Sequence, residues 1–172
     1  MGEREPAGRP AVDRLELAVP ALTRLVTRAV LAAPGPVRIA VLRSAFDRAR
    51  DAFNRGDLEV VFAAFAADVE YIPPPPLSGP ALIRGKVEVM RYWTGVFEHY
   101  ETNRIENLEV VESGGGVARR TARLRHGSSR DPEALDYAIV QTTRFDRGEV
   151  VRQENLVDGR ERRPGSSGER LP

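Results

Sequence analysis

Residues 105–157 read IENLEVVESGGGVARRTARLRHGSSRDPEALDYAIVQTTRFDRGEVVRQENLV. Four runs of alternating character, 105–112, 117–126, 135–145 and 149–157, are separated by Ser-Gly-Gly-Gly, Gly-Ser-Ser-Arg-Asp-Pro and Asp-Arg-Gly, all turn formers. The pattern predicts an antiparallel four-stranded meander. Pairing the first two runs sets Glu106, Glu109 and Glu112 against Arg119, Arg120, Arg123 and Arg125. That local excess of cations is therefore expected to be neutralised across a hairpin rather than offered to RNA or phosphate. Period two then sorts the side chains. If Phe145 faces inward, so do Thr143, Gln141, Ile139 and Tyr137, and on the last run Gln153, Asn155 and Val157 share one face. On the second run the apolar face of Ala118, Ala122 and Leu124 brings Arg120 and His126 with it. His126 ends that run beside Gly127, where exposure is expected.

Upstream, the period changes. Residues 84–100 place Val89, Trp93, Val96, Phe97 and Tyr100 on one helical face, with Met90 and Tyr92 at its edges. Before them, Val-Glu-Tyr-Ile (69–72) alternates like a short strand. It is ended by Pro73 to Pro76, four successive residues without an amide donor, which predict a rigid extended loop. Ile39, Leu42, Phe46, Ala49 and Phe53 mark a helix from Val37 that stops at Gly56. Asp57 is expected to cap a second helix over 58–67. Three helices followed by strands predict an α+β domain with the helices packed on one face of the sheet. Residues 12–33 carry a further stripe, Leu15, Leu22, Leu25, Val26, Ala29 and Val30, broken near Pro20 and closed by Pro34-Gly35-Pro36. The expected organisation is an arm over 1–36 with a short amphipathic helix, a domain over 37–158 and a disordered tail over 159–172. Residues 1–11 are expected to be disordered as well.

Composition narrows the function. The 172 residues suit one domain, and 41% apolar with 30% charged residues is ordinary for a globular chain. No cysteine and only two histidines, His99 and His126, exclude a thiolate or histidine-rich metal site, so neither metal nor cofactor is expected. Lys plus Arg at 26 against Asp plus Glu at 25 leaves a net charge of +1, which speaks against nucleic acid as a partner. No apolar run approaches the roughly 18 residues of a membrane span. Arg24 and Arg28 interrupt the one segment that looks like a secretory leader, so a cytoplasmic protein is expected.

The order of these elements, together with Ala-Phe-Asn-Arg-Gly-Asp-Leu (52–58), Ala-Asp-Val-Glu-Tyr (67–71), Ile-Arg-Gly (83–85) and Arg-Gly-Glu-Val-Val (147–151), resembles the nuclear transport factor 2-like superfamily, and within it the SnoaL-like branch. The likeness spans residues 37–158. It implies a cone-shaped half-barrel whose curved sheet and helices enclose one deep pocket, often dimerising through the outer sheet face. The superfamily includes ketosteroid isomerases, polyketide cyclases, epoxide hydrolases and dehydratases. Matched on the Asn-Arg-Gly-Asp corner, the isomerase's oxyanion tyrosine falls at Ala49 and its aspartate base at Pro73. Its second acid falls at Gln141, and the polyketide cyclase's acid–base aspartate at Asn155. These amides can donate hydrogen bonds but cannot titrate. The epoxide hydrolases' Asp-Arg-Asp arrangement has no counterpart.

Taken together, parity and resemblance predict a pocket lined by Phe46, Ala49, Phe53, Tyr71, Tyr92, Trp93, Tyr137, Gln141, Thr143, Gln153 and Asn155. Aromatic walls with a few convergent amides suit an uncharged, partly apolar organic ligand. Three readings stay open. One is a binding protein for such a ligand. A second is a cofactor-independent cyclase, isomerase or hydrolase of the polyketide cyclase or isomerase type, polarising a carbonyl or moving a proton with Tyr71, Arg120, His126 or Tyr137. The third is a non-catalytic domain that forms a homodimer through outward Ala138, Val140 and Thr142.

Overall fold

In the computed structural model, which describes residues 10–77, 79–128 and 135–157, the four C-terminal runs form the expected meander. They are β3 (Thr102–Gly114), β4 (Val117–Gly127), β5 (Leu135–Asp146) and β6 (Glu149–Val157). The β3–β4 register sets Glu106 opposite Arg123 and Glu112 opposite Arg119. Arg125 reaches Glu106 at 3.0 Å, and Arg123 bonds Asp136 at 2.6 Å, so the arginine-rich strand is paired within the sheet.

Two more strands complete the sheet. β1 (Phe65–Ile72) lies parallel to β6 and antiparallel to the two-residue β2 (Ile83–Arg84), giving the order β2-β1-β6-β5-β4-β3. The meander is thus two-thirds of a mixed six-stranded sheet. Register shifts at 107/109 and 110/112 in β3, and between Arg144 and Phe145, mark irregularities of the bulge type that bend strands.

Among the described residues, five helices accompany the sheet. α3 (Gly35–Asn54) begins at the Pro-Gly-Pro triplet, with Pro36 in the first turn, where its missing amide hydrogen costs no helical bond. It ends as read, at Gly56 with φ of 78°. Gly56 donates to the Phe53 carbonyl at 2.8 Å and Asp57 to the Ala52 carbonyl at 2.9 Å, a Schellman closure that requires the left-handed residue. The expected helix over 58–67 is only one turn, α4 (Leu58–Val61), and the Asp57 side chain makes no capping hydrogen bond. From Phe65 the chain is strand instead. Pairing of Phe65 with Val150, and burial of Phe65, Val69 and Tyr71, overrides the local helical pattern. α5 (Lys86–His99) seats Val89, Trp93 and Val96 in the core, as its period requires.

The stripe over 12–33 forms α1 (Ala11–Ala18) and α2 (Pro20–Ala32), divided at Pro20. The expected disorder over 1–11 extends into α1 at Ala11; residues 1–9 and the expected tail over 159–172 lie outside the described residues. Both short helices are fastened to the domain. Asp13, 3% exposed, accepts a hydrogen bond from Arg55 at 3.0 Å, and Arg24 pairs with Glu149 at 2.9 Å. Beneath α2, the Gly148 turn (φ 87°) passes so close to the Arg24 carbonyl that a side chain there would collide with it.

Candidate ligand cavity

The register of the strands turns isolated residues into rungs. Arg120 of β4 stands opposite Gln141 of β5, which stands opposite Asn155 of β6. One step along, Ala118, Thr143 and Gln153 make the next rung, and Gln153 faces Tyr71 of β1. All the polar members of both rungs are buried. They form the floor of a cavity of about 310 Å³ between sheet and helices.

A hydrogen-bonded chain runs through the first rung. The Arg120 Nε donates to Gln141 Oε1 at 2.6 Å, Gln141 Nε2 donates to Asn155 Oδ1 at 2.8 Å, and Asn155 Nδ2 donates to the Ile72 carbonyl at 2.7 Å. The direction is set at one end, since a guanidinium can only donate. Each carboxamide is thereby oriented. Tyr71 adjoins this chain and accepts a hydrogen bond from the Trp93 indole at 3.0 Å. In the second rung, Thr143 Oγ1 is buried with no hydrogen-bond partner among the described residues.

Walls come from three directions. Phe46, Ala49 and Phe53 of α3 face the floor, and the Arg120 guanidinium carbon lies 4.6 Å from the centre of the Phe46 ring. Phe53 meets Trp93 edge-on at 5.1 Å. Over the top lie Val12, Leu15, Leu22, Val26 and Val30 of α1 and α2. These arm residues were absent from the expected lining. Their stripe was visible in the sequence, but nothing local says which surface a stripe will cover.

Of the expected lining, Phe46, Ala49, Phe53, Tyr71, Trp93, Gln141, Thr143, Gln153 and Asn155 meet around the cavity, and Arg120 joins them. Tyr92, Tyr137 and His126 do not line it. Instead of being exposed, His126 is completely buried, ringed by Trp93, Tyr100 and Tyr137 with centroids 5.3–6.3 Å away. A strand end was equated with a surface, but β3 and α5 cover this one.

Hydrogen bonds fix the state of the buried imidazole. Asn103 Nδ2 donates to the Tyr100 carbonyl at 2.9 Å, leaving Asn103 Oδ1 to accept from His126 Nδ1 at 2.7 Å. Nε2 is then the bare nitrogen and accepts from the Tyr137 hydroxyl at 3.3 Å. Burial lowers the His126 pKa to about 4, so the ring is neutral at pH 7. Because the folded value lies below the unfolded one, the associated stability is complete above about pH 6.5 and is lost as pH falls toward 4. The expected loss is up to roughly 3 kcal/mol between those limits. His126→Gln should flatten that part of the pH profile, measured as urea midpoints at pH 7 and pH 5. Equal pH slopes in the two proteins would refute the assignment.

Carboxylates stand just outside the cavity, where Arg50 pairs with Asp47 at 2.8 Å and with Asp51 at 2.9 Å. Among the described residues, its ionisable lining is Arg48, Arg50, Arg120 and Tyr71, with no carboxylate. Burial lowers the Arg120 pKa to about 10, which leaves it cationic at neutral pH, and raises that of Tyr71 well above the ordinary phenol. Also among the described residues, no group of three His, Cys, Asp or Glu side chains could hold a metal ion. No helix there is long and apolar enough to cross a membrane.

A profile of the SnoaL-like domain matches residues 46–153. Similar solved structures include TerC co-crystallised with polyporic acid (17% identity, TM-score 0.56, covering 67% of this chain and 89% of that one). An NTF2-like protein of unknown function from Burkholderia pseudomallei is 27% identical, with a TM-score of 0.52 and coverage of 67% and 89%. Bal32a from a soil-derived mobile gene cassette is 16% identical, with a TM-score of 0.59 and coverage of 68% and 88%. No curated protein matches the chain significantly.

Proposed function

The chain belongs to the SnoaL-like domain family, within the NTF2-like superfamily, and on that footing we propose that it binds a partly apolar organic small molecule in the cavity between sheet and helices. One observation carries the reading: an apolar chamber of about 310 Å³ has a polar floor whose Thr143 hydroxyl is buried without a partner. A buried hydroxyl left unpaired costs about 1–3 kcal/mol, which a ligand acceptor would recover. The TerC structure, co-crystallised with polyporic acid, lends support as a similar fold seen with an organic molecule. The wall aromatics would supply contact area and the floor would supply orientation.

A catalytic version of this reading rests on Tyr71 and Arg120. Tyr71, which accepts from Trp93 and adjoins Asn155, would polarise a ligand carbonyl together with Arg120. Self-association through the outer sheet face belongs to the same proposal, with Val140 and Thr142 half-buried on that face, while Ala138, expected there too, is already buried at 4% exposure.

Filling the chamber tests the proposal. Ala49 lies on the α3 wall, and Ala49→Trp would occupy the space opposite the rungs. In the native chain the uncharged fluorophore N-phenyl-1-naphthylamine should bind saturably at one site. The variant should bind it at least about tenfold more weakly, or 1.4 kcal/mol, while keeping its thermal midpoint. A folded variant with native affinity would disprove the site.

A further inference from the structure

The α3 wall of the cavity is a stripe rather than a spot. Val41, Ala45, Ala49 and Phe53 recur at every fourth residue and all line it, so its apolar surface follows the helix for about 18 Å at a rise of roughly 1.5 Å per residue. α2 brings a second stripe to the same cavity, Leu22, Val26 and Val30, over about 12 Å. The cavity thus has long apolar sides.

Those sides are largely uncovered. A surface helix ordinarily buries its apolar stripe in the core. α2 has no buried residue, and Leu22, Val26 and Val41 remain 41%, 52% and 40% exposed although they line the cavity. Single exposed apolar side chains need no explanation, whereas two stripes bordering one cavity leave a continuous apolar surface of the kind a ligand covers. The floor of that cavity supplies a second observation. Thr143, 2% exposed, has a hydroxyl without a hydrogen-bond partner among the described residues, and Gln153, 8% exposed, stands opposite it across β5 and β6. A hydroxyl and a carboxamide can each donate to an oxygen and accept from one. The group they hold need not be ionic, because Arg50 is paired with Asp47 and Asp51 and the field of Asp47 also favours the Arg120 charge.

We propose that the cavity takes a molecule with a straight aliphatic chain and a neutral, oxygen-bearing head. This rests on the pocket reading above and sharpens it. The head sits against Thr143 and Gln153, and the chain runs along the α3 stripe with Leu15 and Val26 of the arm on its other side. A slender chain of this kind covers both stripes along their length, which a compact ring system cannot do.

Straight-chain alcohols of increasing length test it, titrated calorimetrically into the full chain at pH 7.5. Affinity should rise roughly tenfold for each two methylenes from 1-hexanol through 1-octanol to 1-decanol. Cyclodecanol, with as many carbons in a compact shape, should bind at least about tenfold more weakly than 1-decanol. Val26→Asp should weaken 1-decanol at least about tenfold and 1-hexanol by no more than about twofold, because only the longer chain reaches the arm; Leu15→Asp serves as a second variant should Val26→Asp not fold. Thr143→Val should weaken all three alcohols alike, by about threefold. No gain from hexanol to decanol, or cyclodecanol binding as tightly as 1-decanol, would overturn the proposal while N-phenyl-1-naphthylamine binding leaves the pocket standing. Unchanged 1-decanol affinity in a folded arm variant would overturn the part given to the arm, and unchanged affinities in Thr143→Val the placing of the head. Failure of every alcohol together with N-phenyl-1-naphthylamine would remove the pocket reading and this inference with it.

Discussion

Phe53→Ala is expected to destabilise the protein by about 3–5 kcal/mol, the usual range for truncating a buried phenylalanine. Phe53 is 4% exposed and meets Trp93 and Phe97 edge-to-face at 5.1 and 5.0 Å. Such pairs add about 0.5–1.5 kcal/mol each beyond burial. It is also the residue by which α3 holds both α5 and the cavity wall, so the void left behind would open into the chamber. Equilibrium unfolding in urea, followed through the single tryptophan, Trp93, gives the measurement directly. With a slope of about 2 kcal/mol per molar, the midpoint should fall by about 1.5–2.5 M. A fall below about 0.5 M would show that α3 is not seated as described.

Gln141→Leu should have the next largest effect, for a different reason. Nothing large is removed, but Arg120 Nε loses the oxygen it donates to and Asn155 Oδ1 loses its donor, both in the interior. The expected cost is about 2–4 kcal/mol, because groups already stripped of water are left short of partners. Adding Arg120→Met removes one of the two stranded groups. The double variant should therefore be more stable than the sum of the single losses by about 1 kcal/mol or more. Strict additivity in a double-mutant cycle would mean that the rung is three independent contacts rather than a chain.

Much of this arrangement follows from local signals. Alternation over 135–145 and 149–157 forces Gln141, Thr143, Gln153 and Asn155 to one side of the sheet, because successive side chains on a strand point to opposite faces. Helical spacing does the same for Phe46, Ala49 and Phe53 on α3. Gly56 announces its corner because few other residues tolerate a φ of 78°. Where local pattern misled, a distant partner outweighed it. Phe65 leaves the expected helix to pair with Val150, and His126 is buried by Asn103, Tyr100 and Trp93, residues 23 or more positions away in the chain.

Periodicity, turn chemistry and composition in this chain therefore suffice for the α+β class, the meander, the parity of its faces and the absence of a thiolate site, since each depends on neighbours within a few residues. Three things depended on the assembled chain: the parallel pairing of β1 with β6, the gathering of the buried Arg120, Gln141 and Asn155 into one rung of a cavity floor, and the placing of α1 and α2 against that cavity. Those are relations between surfaces brought together from distant parts of the sequence. An amphipathic stripe specifies that a helix must be covered, while the shape and charge of the surface it meets determine where.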